Sequence, residues 1–138
     1  MATKDSVLHI LLADDDETDR ELFIEGMNET GIKYTITEVA NGEEVFTYLN
    51  SSAKKPHFII LDLNMPIKDG RQTLQELKAS VTYKQIPVFI MSTSNAHFDV
   101  ASAYEQGANL FLVKPHDFKG IVELFASLFT LFSKHVSL

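Results

Sequence analysis

Apolar runs of strand length alternate along this chain with stretches in which apolar residues recur at helical spacing. Leu8–Ala13 is the first run, and it stops abruptly in acid. Asp16 or Thr18 is placed to cap a helix with apolar positions Leu22, Phe23 and Met27, and Gly31 lies just past its end. Tyr34–Ala40 is rich in β-branched and aromatic residues and reads as a strand. Asn41-Gly42 then turns the chain into a helix carrying Val45, Phe46 and Leu49. Phe58–Leu61 is the third run and ends at Asp62; a loop with Pro66 and Gly70 leads to a helix marked by Leu74 and Leu77. Pro87–Met91 is the fourth run, followed by Ser92, Thr93 and Ser94 and by a helix with Val100, Ala101, Ala103 and Tyr104 that stops at Gly107. Leu110–Val113 is the fifth, ending in Lys114-Pro115, and from about Asp117 a last helix is rich in Phe and Leu.

Short runs buried on both faces and separated by single helices predict a parallel sheet with helices on either side. Right-handed crossovers leave few topologies. The expected fold is α/β, a flavodoxin-like, doubly wound, five-stranded parallel sheet of order 2-1-3-4-5. The 138 residues suit one domain, read as residues 1–138 with a core of about 7–135 and no output domain. A hydrophobic share of 45% against 22% charged residues excludes a disordered chain. The absence of cysteine excludes a disulfide scaffold, a thiolate zinc site and a cysteine nucleophile. The polar start, Met1 to Asp5, precedes an apolar run too short for a signal segment, and Glu123, Ser127, Thr130 and Ser133 interrupt the last helix. No membrane insertion and a cytoplasmic location are expected.

Charge adds a clue to where the chemistry sits. The net charge is −7, and residues 1–70 hold six basic and fourteen acidic groups. No basic face for phosphate backbones is visible, so direct nucleic-acid binding is not expected. In open α/β sheets the site lies beyond the carboxyl ends of the strands, near the point where strand order reverses. The first strand ends in Asp14-Asp15-Asp16, the third in Asp62, the fourth in Ser92-Thr93 and the fifth in Lys114. Taken singly, each is ordinary punctuation: a helix cap, a turn former, a strand end. Jointly they would meet on one rim. Carboxylates in one crevice repel one another, and a hard divalent cation such as Mg²⁺, which joins carboxylates to phosphate, relieves that repulsion. Lys114 adds a point charge suited to a phosphate oxygen, and Ser92 a hydroxyl donor. A carboxylate can accept a phosphoryl group as an acyl phosphate.

The chain resembles the response-regulator receiver domains of two-component signalling. The resemblance rests on Ile10-Leu-Leu-Ala-Asp-Asp-Asp16, Ile60-Leu-Asp-Leu-Asn-Met-Pro66 with Asp69-Gly70, Pro87-Val-Phe-Ile-Met-Ser-Thr93, Gly107-Ala108 and Val113-Lys-Pro115. It implies that Asp62 is the phosphoacceptor and that Asp14, Asp15, Asp62 and the Asn64 backbone carbonyl hold Mg²⁺. It further implies that Lys114 pairs with the phosphoryl group, that the bond to Pro115 is cis, and that Ser92 turns toward the phosphate. Such a protein is a phosphoacceptor that promotes its own phosphorylation and dephosphorylation, and not a turnover enzyme. Ser92 and Phe111 are the switch positions; Phe111 stands where the family often has Tyr, so no hydroxyl is available for an outward state. Asn64 and Ser94 occupy the positions that tune dephosphorylation in the family.

With no winged-helix or helix-turn-helix segment, output is expected through the receiver itself, as in stand-alone regulators. At 100° per residue, Phe118, Ile121, Val122, Phe125, Phe129 and Phe132 form the stripe that should face the sheet. Leu124, Leu128 and Leu131 extend the apolar arc, and with Tyr104 and Phe111 they make a candidate interface for a homodimer or an effector. The expected partners are a sensor histidine kinase and, in a relay, a histidine phosphotransfer protein. Ile67-Lys-Asp-Gly-Arg71 and the greasy last helix are similar to the small regulators paired with phytochrome-type kinases. Competing readings fit less well. A haloacid-dehalogenase-type phosphatase would use Asp14, Asp16 and Thr18, but no later strand ends in paired acids. A pseudo-receiver would lack one of the site residues, and a flavin carrier would not place acids where the flavin phosphate binds.

Overall fold

The computed structural model describes residues 7–135, with side chains through residue 131. Met1–Asp5 and the side chain of Phe132 lie outside the described residues. Strands β1 (Leu8–Ala13), β2 (Tyr34–Val39), β3 (Phe58–Asp62), β4 (Val88–Ser92) and β5 (Leu110–Val113) alternate with helices α1 (Glu17–Glu29), α2 (Gly42–Ser51), α3 (Gly70–Ala79), α4 (His97–Glu105) and α5 (Phe118–His135). All strand pairs are parallel, in the order β2-β1-β3-β4-β5 that the sequence pattern predicts.

Side chains alternate across the sheet, and each face builds its own core. Leu8, Ile10, Leu12, Phe58, Ile60, Phe89 and Met91 pack against α1 and α5. Leu11, Ala13, Ile59, Leu61, Val88 and Ile90 pack against α2, α3 and α4. Burial on both faces holds for β3 and β4, in which every residue is buried. The edge strands β2 and β5 are largely half-buried, and Val113 is exposed.

The α5 face departs from expectation at two positions. Leu128 is buried with Ile121, Phe125 and Phe129, so it belongs to the core and not to an outer interface. Gly26 explains the depth. A methyl group there would lie 3.2 Å from the Phe125 ring and 3.3 Å from Ile121, so the bare glycine lets α5 settle onto α1. Leu128, seven residues after Ile121, is carried inward with it. Phe118 is 41% exposed instead of core-facing, because it opens the helix and overhangs the packed layer. The aromatic centre of this layer is continuous, with ring centroids 4.9 Å apart for Phe58–Phe89, 5.6 Å for Phe58–Phe129 and 5.4 Å for Phe125–Phe129.

Helix caps set how each helix leaves the upper rim. Asp16, and not Thr18, caps α1, its carboxylate accepting from the N–H groups of Thr18 and Asp19. Asn41 caps α2 and Asp69 caps α3. α4 has Ala96 at its N-cap and so no capping side chain. Among the described residues no peptide bond is cis, which corrects the expectation for Lys114–Pro115. Trans is the isomer an X–Pro bond intrinsically favours, by about 0.5–1 kcal/mol.

Candidate functional site

Four strand ends deliver the predicted groups to one rim. Asp14 follows β1, Asp62 closes β3, Ser92 closes β4 and Lys114 follows β5. The parallel register puts them at one level, with Asp62 opposite Met91 and Ser92 opposite Val113. Asp14, Asp62, Ser92 and Lys114 are all buried polar residues, while Asp15 is exposed at the mouth. Carboxylate oxygens of Asp14, Asp15 and Asp62 lie within 4.8 Å of one another, a set that could hold a cation.

Lys114 reaches across the sheet into this cluster. Its Nζ donates to Asp14 Oδ2 and Asp19 Oδ2, each at 2.9 Å, and stands 3.7 Å from Asp62 Oδ2. Burial disfavours the ammonium, but the hydrogen bonds to Asp19 and Asp14 and the charges of Asp14 and Asp62 outweigh it and raise the lysine pKa. The opposite balance holds at Asp62. Burial raises its carboxyl from 3.8 to about 6; Lys114 and the Asn64 N–H pull it down, while Asp14 and Asp15 push it up. At Asp62, burial outweighs the pull of Lys114.

The loop beneath Asp62 is fixed by a close backbone approach. The Gly70 N–H donates to Leu63 O at 2.9 Å, and a Cβ on Gly70 would fall 2.1 Å from Asp62 O. Just before it, Lys68 N–H donates to Pro66 O at 2.7 Å, closing a γ-turn about Ile67 with φ of +67°. Left-handed backbone is rare for a β-branched residue, so this turn carries strain at the site's edge.

Ser92 is buried with its Oγ accepting from the Ser94 N–H at 3.1 Å. Phe111 is half-buried against the core, and its N–H donates to the Tyr104 hydroxyl at 2.9 Å. Tyr104 and Leu131 are each 46% exposed, whereas Leu124 is half-buried against the α1–α5 core.

Three participants escape sequence reasoning. Asp19 shares Lys114, although an acid in a helix's first turn reads as a partner of the helix dipole. Arg71 pairs with Asp99 at 3.2 Å, joining α3 to α4. The Ser94 hydroxyl donates to Asp99 Oδ2 at 2.9 Å, and these contacts hold the Asp99 carboxyl below the usual range.

Comparison with known proteins decides the family. The profile of the response regulator receiver domain matches residues 10–126. This chain belongs to the response-regulator receiver family. The receiver is 32% identical over 120 residues to the response regulator Rcp1 of Synechocystis sp., covering 83% of this chain and 82% of that protein. It superposes on the phosphorylated cyanobacterial phytochrome response regulator RcpA with a TM-score of 0.89 at 28% identity, covering 96% of this chain and 99% of the other. The Mn²⁺-bound form of Rcp1 matches with a TM-score of 0.85 at 29% identity, over 95% and 98% of the two chains. The receiver thus belongs to two-component signalling, and among its described residues no helix is long and apolar enough to cross a membrane.

Proposed function

We propose that this receiver accepts a phosphoryl group from the phosphohistidine of a sensor kinase onto Asp62. The observation that carries the reading is the placement of Asp62: a buried carboxylate closing β3, 3.7 Å from Lys114, at the rim where Asp14, Ser92 and Lys114 also arrive. Asp62 Oδ would attack phosphorus as the bond to the kinase imidazole breaks, leaving an acyl phosphate. Lys114 already stands where it can leave Asp14 or Asp19 and meet the new phosphoryl oxygens. Ser92 can supply a hydroxyl once its contact with the Ser94 N–H is released.

The donor set fits Mg²⁺. All three candidate ligands are hard carboxylate oxygens, and together they outnumber the single lysine that faces them. Asp14, Asp15, Asp62 and the Asn64 carbonyl would hold the ion, which when bound neutralises charge on the phosphoryl group. The Mn²⁺-bound form of Rcp1 supports a divalent site in this kind of protein.

Likeness over nearly its whole length to RcpA, a cyanobacterial phytochrome response regulator, supports a stand-alone regulator whose kinase is of phytochrome type, and a cytoplasmic location goes with that reading. Output would pass through α4, β5 and α5. Tyr104, Val113 and Leu131 are exposed there, Phe111 is half-buried, and a homodimer would cover the patch. Passage of the phosphoryl group to a histidine phosphotransfer protein is the alternative output. In either role Asp62 carries the group between proteins, and no substrate is turned over.

The test is intact-protein mass after incubation with a small acyl-phosphate donor, with and without Mg²⁺, for wild type and Asp62→Asn. One phosphoryl adduct that needs both Mg²⁺ and Asp62 is expected. If a beryllofluoride mimic also fails to bind, the reading is wrong.

A further inference from the structure

A chain of polar contacts runs round the mouth of the site from Asp62 to Ser92. The Asn64 N–H donates to Asp62 Oδ1 at 3.3 Å. Arg71, in the first turn of α3, places Nη1 3.5 Å from Asn64 Oδ1, at the long end for a hydrogen bond, and Nη2 3.2 Å from Asp99 Oδ1 in the first turn of α4. Asp99 uses its other oxygen to accept from the Ser94 hydroxyl at 2.9 Å, and the Ser94 N–H donates to Ser92 Oγ at 3.1 Å. Asn64 and Ser94 each stand two residues beyond a site residue, Asp62 and Ser92, and their backbone N–H groups donate to those two side chains, which keeps both at the mouth of the site. Both side chains are already engaged by the Arg71–Asp99 pair, and Ser94 Oγ also accepts from the Ala96 N–H at 3.3 Å, which holds its rotamer. Asp99 is bound on both oxygens and its side chain is 19% exposed, while that of Arg71 is 41% exposed, so the pair closes the rim from the solvent side.

Loss of an acyl phosphate to water has defined needs. A water oxygen bonds to phosphorus while the bond from phosphorus to Asp62 Oδ breaks. The carboxylate leaves with the electron pair, and the water's protons go to the released inorganic phosphate and to solvent. The attacking water must be held in line, and a neighbouring carboxamide or hydroxyl free to turn toward it is the group that could hold it.

Resting on the reading of Asp62 as phosphoacceptor, we propose that Arg71 and Asp99 are positioning residues that prolong the phosphorylated state, by tying Asn64 and Ser94 into contacts that keep them from orienting the attacking water. Neither residue touches the reacting atoms. Arg71 acts through Asn64, and Asp99 acts through Ser94 and through Arg71. The α3–α4 bridge is thus a timer on the signal, set by two residues that form no part of the carboxylate cluster.

The experiment phosphorylates the full chain with acetyl phosphate and Mg²⁺, removes the donor by desalting, and follows the adduct by intact mass. Wild type is compared with Arg71→Met, Arg71→Lys, Asp99→Ala and Asp99→Ala combined with Ser94→Ala. Arg71→Met and Asp99→Ala should each speed the decay by about two- to tenfold, the span of one net hydrogen bond expressed as a rate. Arg71→Lys should fall between wild type and Arg71→Met, since lysine keeps the charge but loses the two-pronged contact. Adding Ser94→Ala to Asp99→Ala should return the decay toward the wild-type rate, a reversal that a merely structural role would not produce. Thermal unfolding of each unphosphorylated variant reports whether the fold is intact, and Arg71→Lys remains the informative variant should a larger change unfold the chain. Decay as slow as wild type in both Arg71→Met and Asp99→Ala, or an Asp99→Ala acceleration that Ser94→Ala leaves in place, overturns the proposal. An adduct on wild type with unaltered decay in the variants removes this inference alone; no adduct on wild type removes the phosphoacceptor reading and this inference with it.

Discussion

Replacing Asp62 by Asn should stabilise the protein when no divalent cation is present. The wild-type carboxyl is raised from 3.8 to about 6, chiefly by burial, with Asp14 and Asp15 adding to the rise. A raised acid is the reverse of the usual salt-bridged case. The folded state binds the proton more tightly than the unfolded chain, so the carboxyl imposes no penalty at low pH. The penalty grows as pH rises from about 4 and is complete above about 6. Its ceiling is ~3 kcal/mol, from the conversion of about 1.4 kcal/mol per tenfold in proton affinity. Water at the open mouth screens part of it, and the amide of the Asp62→Asn variant would give up the 3.7 Å ionic contact with Lys114, so a net gain of ~1–2 kcal/mol is expected. Lys114 keeps Asp14 and Asp19 at 2.9 Å in the variant, and no buried cation is stranded. Urea unfolding in EDTA at pH 8 and at pH 4.5 reads the effect. The midpoint of Asp62→Asn should exceed that of wild type at pH 8 with an unchanged slope, and the gap should narrow at pH 4.5. Millimolar Mg²⁺ at pH 8 should close or reverse the gap, because a ligand that binds only the folded wild-type site stabilises it by mass action. A variant less stable than wild type at pH 8 in EDTA would refute the charge argument. So would a gain of the same size at both pH values, since it could not come from ionisation.

Other positions test the scaffold. Gly70→Ala would drive a methyl into the Asp62 carbonyl and Leu63 Cα, at 2.1 and 2.7 Å, so we expect a loss of about 2–3 kcal/mol or more in urea unfolding and reduced phosphoryl uptake in the intact-mass assay. Ile67→Asn should gain about 1 kcal/mol in the same unfolding measurement, because Asn tolerates the +67° φ and the Ile67 side chain is 74% exposed and gives up little burial. Leu131→Asp leaves both cores untouched and should move a dimer to the monomer position on a sizing column; unchanged elution would remove Leu131 from the interface.

Much of the fold and the site was legible because a parallel sheet obeys strict geometry. Once five apolar runs are ordered, their carboxyl ends must share a rim, and Asp14, Asp62, Ser92 and Lys114 arrive there without reference to any side-chain contact. What the pattern does not carry is how far each helix sinks onto the sheet and which long side chains meet across a gap. Leu124, Leu128 and Leu131 are alike in hydropathy. Helical phase sets Leu128 under Ile121 and turns Leu131 aside, and the close α1–α5 approach at Gly26 then decides that the Leu128 position is buried. Arg71 and Asp99 are 28 residues apart on helices from different units, and nothing in their spacing announces a pair. Asp19 has a sufficient local reason to stand in the first turn of α1, which hides its second role.

That second role bears on why the rim is so acidic. A single lysine serves Asp14, Asp19 and Asp62, and it sits 2.9 Å from the first two but 3.7 Å from the third. Had Asp19 been absent, Lys114 would be freer to approach Asp62, lower its pKa and stabilise the fold without a cation. The arrangement instead draws the Lys114 ammonium toward the wall of the site and away from the phosphoacceptor candidate. Asp19→Asn should therefore lower the Asp62 pKa from about 6, seen as a downward shift in the pH at which the Asp62 carboxyl carbon titrates by NMR. A shift upward, or none, would mean that Asp19 holds Lys114 in reach of Asp62 and does not draw it away. On the expected outcome, the same charge deficit that costs stability at the rim is what makes Asp62 receptive to an incoming cation and a phosphoryl group.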